Sequence, residues 1–457
     1  MKFSVVSFRC LVVSALFVNA LCAEDALPLS KDYWKDEAFL KSFNGSYRIN
    51  AQIEPTVSTE ERGLLVSIQS FMAGGKRKEA LDKLKASPLI KTSPAVMYNA
   101  GNIEFELGNW KEAAGYYQSA LKVFPSFRRA HRNLGFVYVR ENDWDKAMES
   151  LSEAIRLGEQ DAATYGQLAY GRMQKEQYAS ALQAFRLAQM TQPEGVDWKV
   201  GVANCLQHLE RHNEALVLLD EVIKARPNEI SYYLLQSSVQ LAVDRIDDAI
   251  ANLDMVRRMG KLDAENHLLL ANLYLRSGSV RLAKPLLMAA LAMEEKPPFA
   301  SALNAFEFIA QMREWKLAHE FAAVLEKAYE GAEEKLKRKQ RRLNALVNIE
   351  SGTDPKSGVA VLQELIQQNP LDADALLLLG KYRTTEKRYE EAEMFFQQAQ
   401  RVEGHEYNAG VELAKLYVAT NRYDEALKQL DEVLKIRNTE IIQEYRSAVA
   451  DLAESAK

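Results

Sequence analysis

The sequence predicts an all-α fold: a superhelical α-solenoid of eleven helix hairpins, with an N-terminal extension and a C-terminal capping helix. Three observations carry this expectation. A pattern of small and bulky residues returns every 34 residues over most of the chain. Within each half-repeat, apolar residues recur at i, i+4 and i+7, the spacing of one helix face. Glycine and proline number only 21 and 12 in 457 residues, too few for the turns of an all-β chain of this length. Hydrophobic residues at 47% and charged residues at 26% are the balance of a packed chain, which excludes general disorder. A net charge of −5 is unsuited to neutralising phosphates, so no nucleic acid is expected as a partner. Three cysteines, two of them within the first 22 residues, exclude a disulfide framework.

Taken in chain order, residues 1–23 read as a signal peptide. Lys2 and Arg9 precede an apolar stretch over residues 10–23 that is too short for a bilayer core of roughly 30 Å. Cleavage is expected after Ala20 or Ala23, giving an exported chain with Cys205 as its sole cysteine, which suits a bacterial periplasm. Asn19-Ala20-Leu21 precede Cys22, and Leu21 is not the small residue wanted immediately ahead of a lipidated cysteine. No later stretch reaches 18 uninterrupted apolar residues, so no stable transmembrane anchoring is expected. Residues 24–60 share no register with the repeats and read as a cap over the first unit or a docking segment. Ser30 opens a short aromatic helix with Tyr33, Trp34 and Phe39, ended by Asn44-Gly45, and Ser58 with Glu61 forms a capping box for the first repeat helix.

The array then runs over 61–332 (units one to eight) and 339–440 (units nine to eleven), in register on Ala80, Ala113, Ala147, Ala181, Ala215, Ala249, Ala283, Ala318, Gly358, Ala392 and Ala426. Three residues earlier stands a bulky residue such as Trp110, Trp144, Tyr178, Trp315 or Tyr423, and twelve earlier a small one such as Gly101, Gly135, Ala169 or Gly380. Four residues later comes Tyr117, Leu151, Phe185 or Phe396. Pro125, Pro193, Pro227 and Pro370 close units where a helix must end. Small residues let paired helices approach, aromatics fill the gaps between units, and stacking buries the face that one pair leaves open. Phe306 and Leu346 occupy the small slot of units eight and nine, and the extra residues 333–338 between those units read as an irregular basic joint. Residues 441–457 read as the capping helix.

The unit Leu134-Gly135…Tyr138…Trp144…Ala147…Leu151…Ala154 resembles a tetratricopeptide repeat, as does Leu413-Ala414…Tyr417…Tyr423…Ala426…Leu430…Val433. The resemblance implies that the first helices of the units line a groove that binds protein or peptide partners without catalysis. Residues 42–61 are also similar to openings of exported repeat proteins of TonB energy-transduction systems, which implies an accessory of an envelope transport complex as an alternative function.

Motifs for chemistry are absent: there is no phosphate-binding glycine loop, no His-Glu-x-x-His, no Gly-x-Ser-x-Gly and no paired-cysteine metal site. No cofactor and no metal are expected. His208 and His212, four apart, straddle an inter-helix turn and have no third ligand, and Cys205 reads as a small buried hydrophobe. An enzyme or carbohydrate-binding protein using an unrecognised groove site is the remaining alternative. The run Lys335, Lys337, Arg338, Lys339, Arg341 and Arg342 goes nearly all round a helix and reads as a solvated, extended helix or as a contact for an acidic partner or anionic lipid head groups.

Candidate partner-binding residues are first-helix positions of units two to four that lie away from the packing columns. They are Tyr98, Asn99, Asn102, Arg129, Arg132, Asn133, Phe136, Arg140 and Tyr170. Positions 98 and 102, and 132 and 136, share a helix face. Asn, Arg and aromatic groups bond peptide backbone, pair carboxylates and anchor apolar side chains. The family resemblance implies that Asn102 and Asn133 occupy the polar positions of peptide-clamping repeats. Tyr98 and Ala163 stand where such clamps carry lysines, so an internal acidic or aromatic segment is expected rather than a C-terminal carboxylate.

Overall fold

The structure, a computed structural model, describes residues 52–455. The expected signal peptide and most of the expected 24–60 segment lie outside them. Every regular element among the described residues is helical. The chain divides into two compact units, one ending at Lys261 and one beginning at Leu262.

The first unit holds six hairpins: α1 (Thr59–Ala73) with α2 (Arg77–Ala86), α3 (Pro94–Glu106) with α4 (Trp110–Val123), and α5 (Arg128–Arg140) with α6 (Trp144–Arg156). It continues with α7 (Ala162–Gln174) and α8 (Tyr178–Thr191), α9 (Val196–His208) and α10 (His212–Ala225), and α11 (Ile230–Ala242) and α12 (Ile246–Arg258). The second unit begins with α13 (Ala264–Arg276) and α14 (Val280–Ala292), then α15 (Phe299–Gln311) and α16 (Trp315–Ala328). Three further pairs follow: α17 (Glu334–Glu350) with α18 (Pro355–Gln368), α19 (Ala373–Thr385) with α20 (Tyr389–Gln400), and α21 (Glu406–Ala419) with α22 (Tyr423–Ile436). A last helix, α23 (Glu440–Ser455), buries Ile442, Val449 and Ala453 against the hairpin before it. Eleven hairpins and a closing helix match the α-solenoid read from the repeat.

Each sequence column has a structural meaning. The bulky residue three before the alanine is the first residue of the second helix in seven hairpins, from Trp110 and Trp144 to Tyr389 and Tyr423. Trp144 meets Tyr170 of the next hairpin edge-on, with ring centroids 5.1 Å apart, so it joins neighbouring units. The small column faces the residue four after the alanine. A Cβ on Gly135 would lie 2.6 Å from the Leu151 side chain, and one on Gly380 would lie 2.5 Å from the Phe396 ring, so these bulky side chains pack directly on the glycine backbone. Pro125, Pro193, Pro227 and Pro370 each stand two residues past a helix end.

The turn inside each hairpin needs one residue in the left-handed region. Glycine fills it at Gly75, Gly108, Gly278 and Gly352, but Asn142, Glu176, Glu210, Asp244, Arg313, Lys387 and Asn421 hold the same turn with φ of 57–62°. Arg313, at φ 58°, has neither glycine's freedom nor the local bonding of Asn. Arg313→Gly is therefore expected to stabilise the second unit by up to about 1 kcal/mol. A lowered thermal midpoint in that variant would show that the turn is not strained.

The irregular stretch between units eight and nine is helical. Residues 334–338 are the first turn of α17, which runs for 17 residues where most first helices run for 13. The boundary between the compact units falls at Lys261/Leu262. Three of the six residues of the basic run are tied to carboxylates on neighbouring helices, while Lys335 is exposed. Lys339 pairs with Glu307 at 2.9 Å, Arg341 with Glu364 at 2.6 Å, and Arg342 with Asp372 at 3.0 Å and Asp374 at 2.9 Å. Gly358 stands in the alanine slot because α17 passes so close that a Cβ there would meet the Ala345 carbonyl oxygen at 2.7 Å.

Candidate partner-binding face

Helices α3, α5 and α7 carry all nine candidate residues, as their spacing requires. The structure does not leave them on an open groove. Tyr98, Asn102, Arg129, Arg132, Asn133, Phe136 and Tyr170 are buried, Asn99 is half-buried, and only Arg140 is exposed. Eight of the nine are thus at least half-buried and form a largely internal cluster. The reason is that polar groups on successive first helices come within bonding distance of one another.

Asn133, fully buried, donates from Nδ2 to the Tyr98 hydroxyl at 2.9 Å and to Asn102 Oδ1 at 3.0 Å. The same Asn102 oxygen accepts from the Tyr117 hydroxyl at 2.7 Å, so one amide oxygen joins both helices of hairpin two to hairpin three. Burial pushes the Tyr98 and Tyr117 phenols up from their ordinary range, which keeps them neutral donors. Arg132 donates from Nε to Asp161 at 2.8 Å, and Asp161 also accepts the Thr164 backbone N–H at 2.8 Å as the N-cap of α7. The Arg132 guanidinium lies 4.9 Å from the Phe136 ring, and Arg129 lies 5.4 Å from Tyr98. Tyr170 is engaged by Trp144, and Arg140 lies 5.0 Å from the Trp110 ring.

The sequence reading missed the partner of Arg129. Helix α5 begins after Phe127, whose side chain cannot cap it. A capping oxygen comes from far upstream. Ile53 C=O accepts the Arg128 N–H at 3.1 Å, and Gln52 C=O accepts the Ser126 hydroxyl at 2.7 Å. Glu54, only 4% exposed, accepts from Arg129 Nε at 3.0 Å, with Arg128 Nη2 3.7 Å from its other oxygen. A carboxylate at this position also suits the positive end of the α5 dipole. Burial pushes the Glu54 carboxyl up, offset in part by Arg129 and Arg128. The signals that pointed here were the uncapped start at Phe127 and the Glu54-Pro55 pair, since a residue before proline is held extended.

Other candidates resolve locally. Cys205 is buried in α9, and burial pushes its thiol up to about 12, which disfavours the reactive thiolate. The His208 ring stacks on Tyr178 at 4.0 Å. Among the described residues no group of three or more His, Cys, Asp or Glu is placed to hold a metal, and no helix is long and apolar enough to cross a membrane.

Two family models, both described as tetratricopeptide repeat, match the chain, one over residues 98–162 and 352–406 and the other over 172–239 and 383–452. Together they cover more than half of it. The chain belongs to the tetratricopeptide repeat family. Its repeats are therefore of a kind that generally mediates protein–protein interaction. Among curated proteins it is similar to the TPR repeat-containing protein YpiA of Bacillus subtilis, 29% identical over 157 residues. That match takes in 34% of this chain and 37% of YpiA. Among solved structures it is similar to a tetratricopeptide repeat protein from Parabacteroides merdae, at 18% identity and a TM-score of 0.37, over 56% of this chain and 98% of that one. It is also similar to YrrB, a TPR protein with an unusual peptide-binding site, at 19% identity and a TM-score of 0.35, over 39% of this chain and 89% of that one.

Proposed function

We propose that this tetratricopeptide repeat protein is a non-enzymatic scaffold of the cell envelope that binds protein or peptide partners on the first-helix face of hairpins two to four. The observation that carries the reading is the seat of Gln52–Glu54. There the start of α5 holds a distant segment of the chain by a backbone N–H, a hydroxyl and an arginine, the groups that peptide recognition uses. Export rests on the basic and apolar pattern of residues 1–23.

A photo-cross-linking residue at Arg140, on the first-helix side, is expected to capture a discrete partner in intact cells. The same residue at Lys122 or Glu149, exposed on second helices, is expected to capture none. Equal labelling from all three positions would move the binding surface elsewhere. Recovery of the chain from the cytoplasm and not from the envelope fraction would remove the localisation.

A further inference from the structure

The contact between Gln52–Pro55 and α5 has the form of a bound ligand. It lies 74–75 residues from its receptor in sequence, and it is held by two main-chain carbonyls and one carboxylate. Main-chain bonds of this kind accept any sequence, while the carboxylate between Arg128 and Arg129 selects an acidic side chain. The fit is also incomplete. Glu54 Oε1 and Arg128 Nε are both buried without a hydrogen-bond partner, and the gap from Arg128 to Glu54 is 3.7 Å. Around the carboxylate stand Arg128 and Arg129 of α5, with Tyr98 of α3 beneath Arg129 and Glu159 3.7 Å from Arg128. A buried charge that leaves one oxygen unbonded is held less firmly than its depth implies. Gln52 and Thr56 are exposed on either side of the buried Glu54 and Pro55, so the segment is anchored over only two residues.

We propose that Gln52–Val57 is an intramolecular ligand of the α5 site, and that displacing it admits an acidic segment of a partner whose glutamate takes the place of Glu54. This rests on the scaffold reading above and adds to it the chemistry of the partner and a built-in competitor. The occupied site binds an outside peptide only in the fraction of molecules whose own segment is undocked, so weakening the segment raises apparent affinity.

The test uses the full chain and a synthetic peptide carrying its residues 51–58, Ala-Gln-Ile-Glu-Pro-Thr-Val-Ser. Glu54→Ala is expected to bind this peptide about tenfold more tightly than the unaltered chain, as release of a site occupied about nine-tenths of the time requires. A peptide with glutamine in place of its glutamate is expected not to bind. Exchange of the Arg128 amide hydrogen, slow in the unaltered chain, is expected to speed up in Glu54→Ala and to slow again when peptide is added. Glu54→Gln provides the same comparison if Glu54→Ala loses helicity. Equal peptide affinity in the altered and unaltered chains, or equal binding of the glutamine peptide, would overturn the proposal. Capture of a partner from position 140 in that case would leave the scaffold reading standing. Peptide binding without any such capture would sink the scaffold reading alone.

Discussion

Phe185→Ala is expected to destabilise the first compact unit by about 3–5 kcal/mol, the range for a buried phenylalanine whose site cannot collapse. Phe185 is 1% exposed and sits in a cluster with Ala203, Cys205 and Leu219. Its ring fills the space that Gly201 leaves, where a Cβ would stand 2.5 Å from it. Gly201 has no side chain to move into the void, and the backbones on either side are held by their own helical bonds. Urea unfolding followed by far-ultraviolet circular dichroism measures the loss. Phe185→Leu, which keeps most of the volume, is expected to cost less, about 1–1.5 kcal/mol. A loss below about 1 kcal/mol in the alanine variant would show that the neighbouring hairpins repack freely.

Arg132→Met is expected to cost about 3 kcal/mol, the lower end for breaking a buried ion pair, because Asp161 keeps 29% of its side chain in water. The pH dependence separates charge from packing. Burial acts to raise the Asp161 carboxyl, but Arg132 and Thr164 outweigh it and hold the group below its ordinary range. A carboxyl lowered on folding contributes stability that is present above its unfolded value and lost as pH falls toward the folded one. Glu159 is shifted the other way, raised by burial and by Asp161, so the comparison is best made in a Glu159→Gln background. There, the stability gap between chains with and without Arg132→Met is expected to shrink as pH falls below the ordinary carboxylate range. A gap that stays constant with pH would assign the loss to packing alone.

Hairpins were legible because they are local. Gly135 against Leu151 and Gly380 against Phe396 are contacts within one unit, separated by 16 residues, so a repeat of 34 records them directly. The capping box at Ser58 and Glu61 is more local still, and the structure forms both of its bonds. The turn residue at φ near 58° was harder to read, since Glu176, Glu210 and Arg313 hold a conformation that their types do not advertise. The basic run was only half legible. Its helix follows from composition, but Glu307 and Asp372, which bind Lys339 and Arg342, stand on other hairpins.

The sequence by itself determined the helices, their pairing, the repeat count and which columns pack. Each of these depends on residues one or two turns apart or on the partner helix of the same hairpin. Tertiary structure alone decided that Tyr98, Asn102 and Asn133 bond one another instead of lining an open groove, because that depends on how successive hairpins cross. It also decided that Glu54 meets Arg129 across 75 residues of chain. No periodicity marks such a contact: it is fixed by a distant segment folding back on a helix start that has no cap of its own.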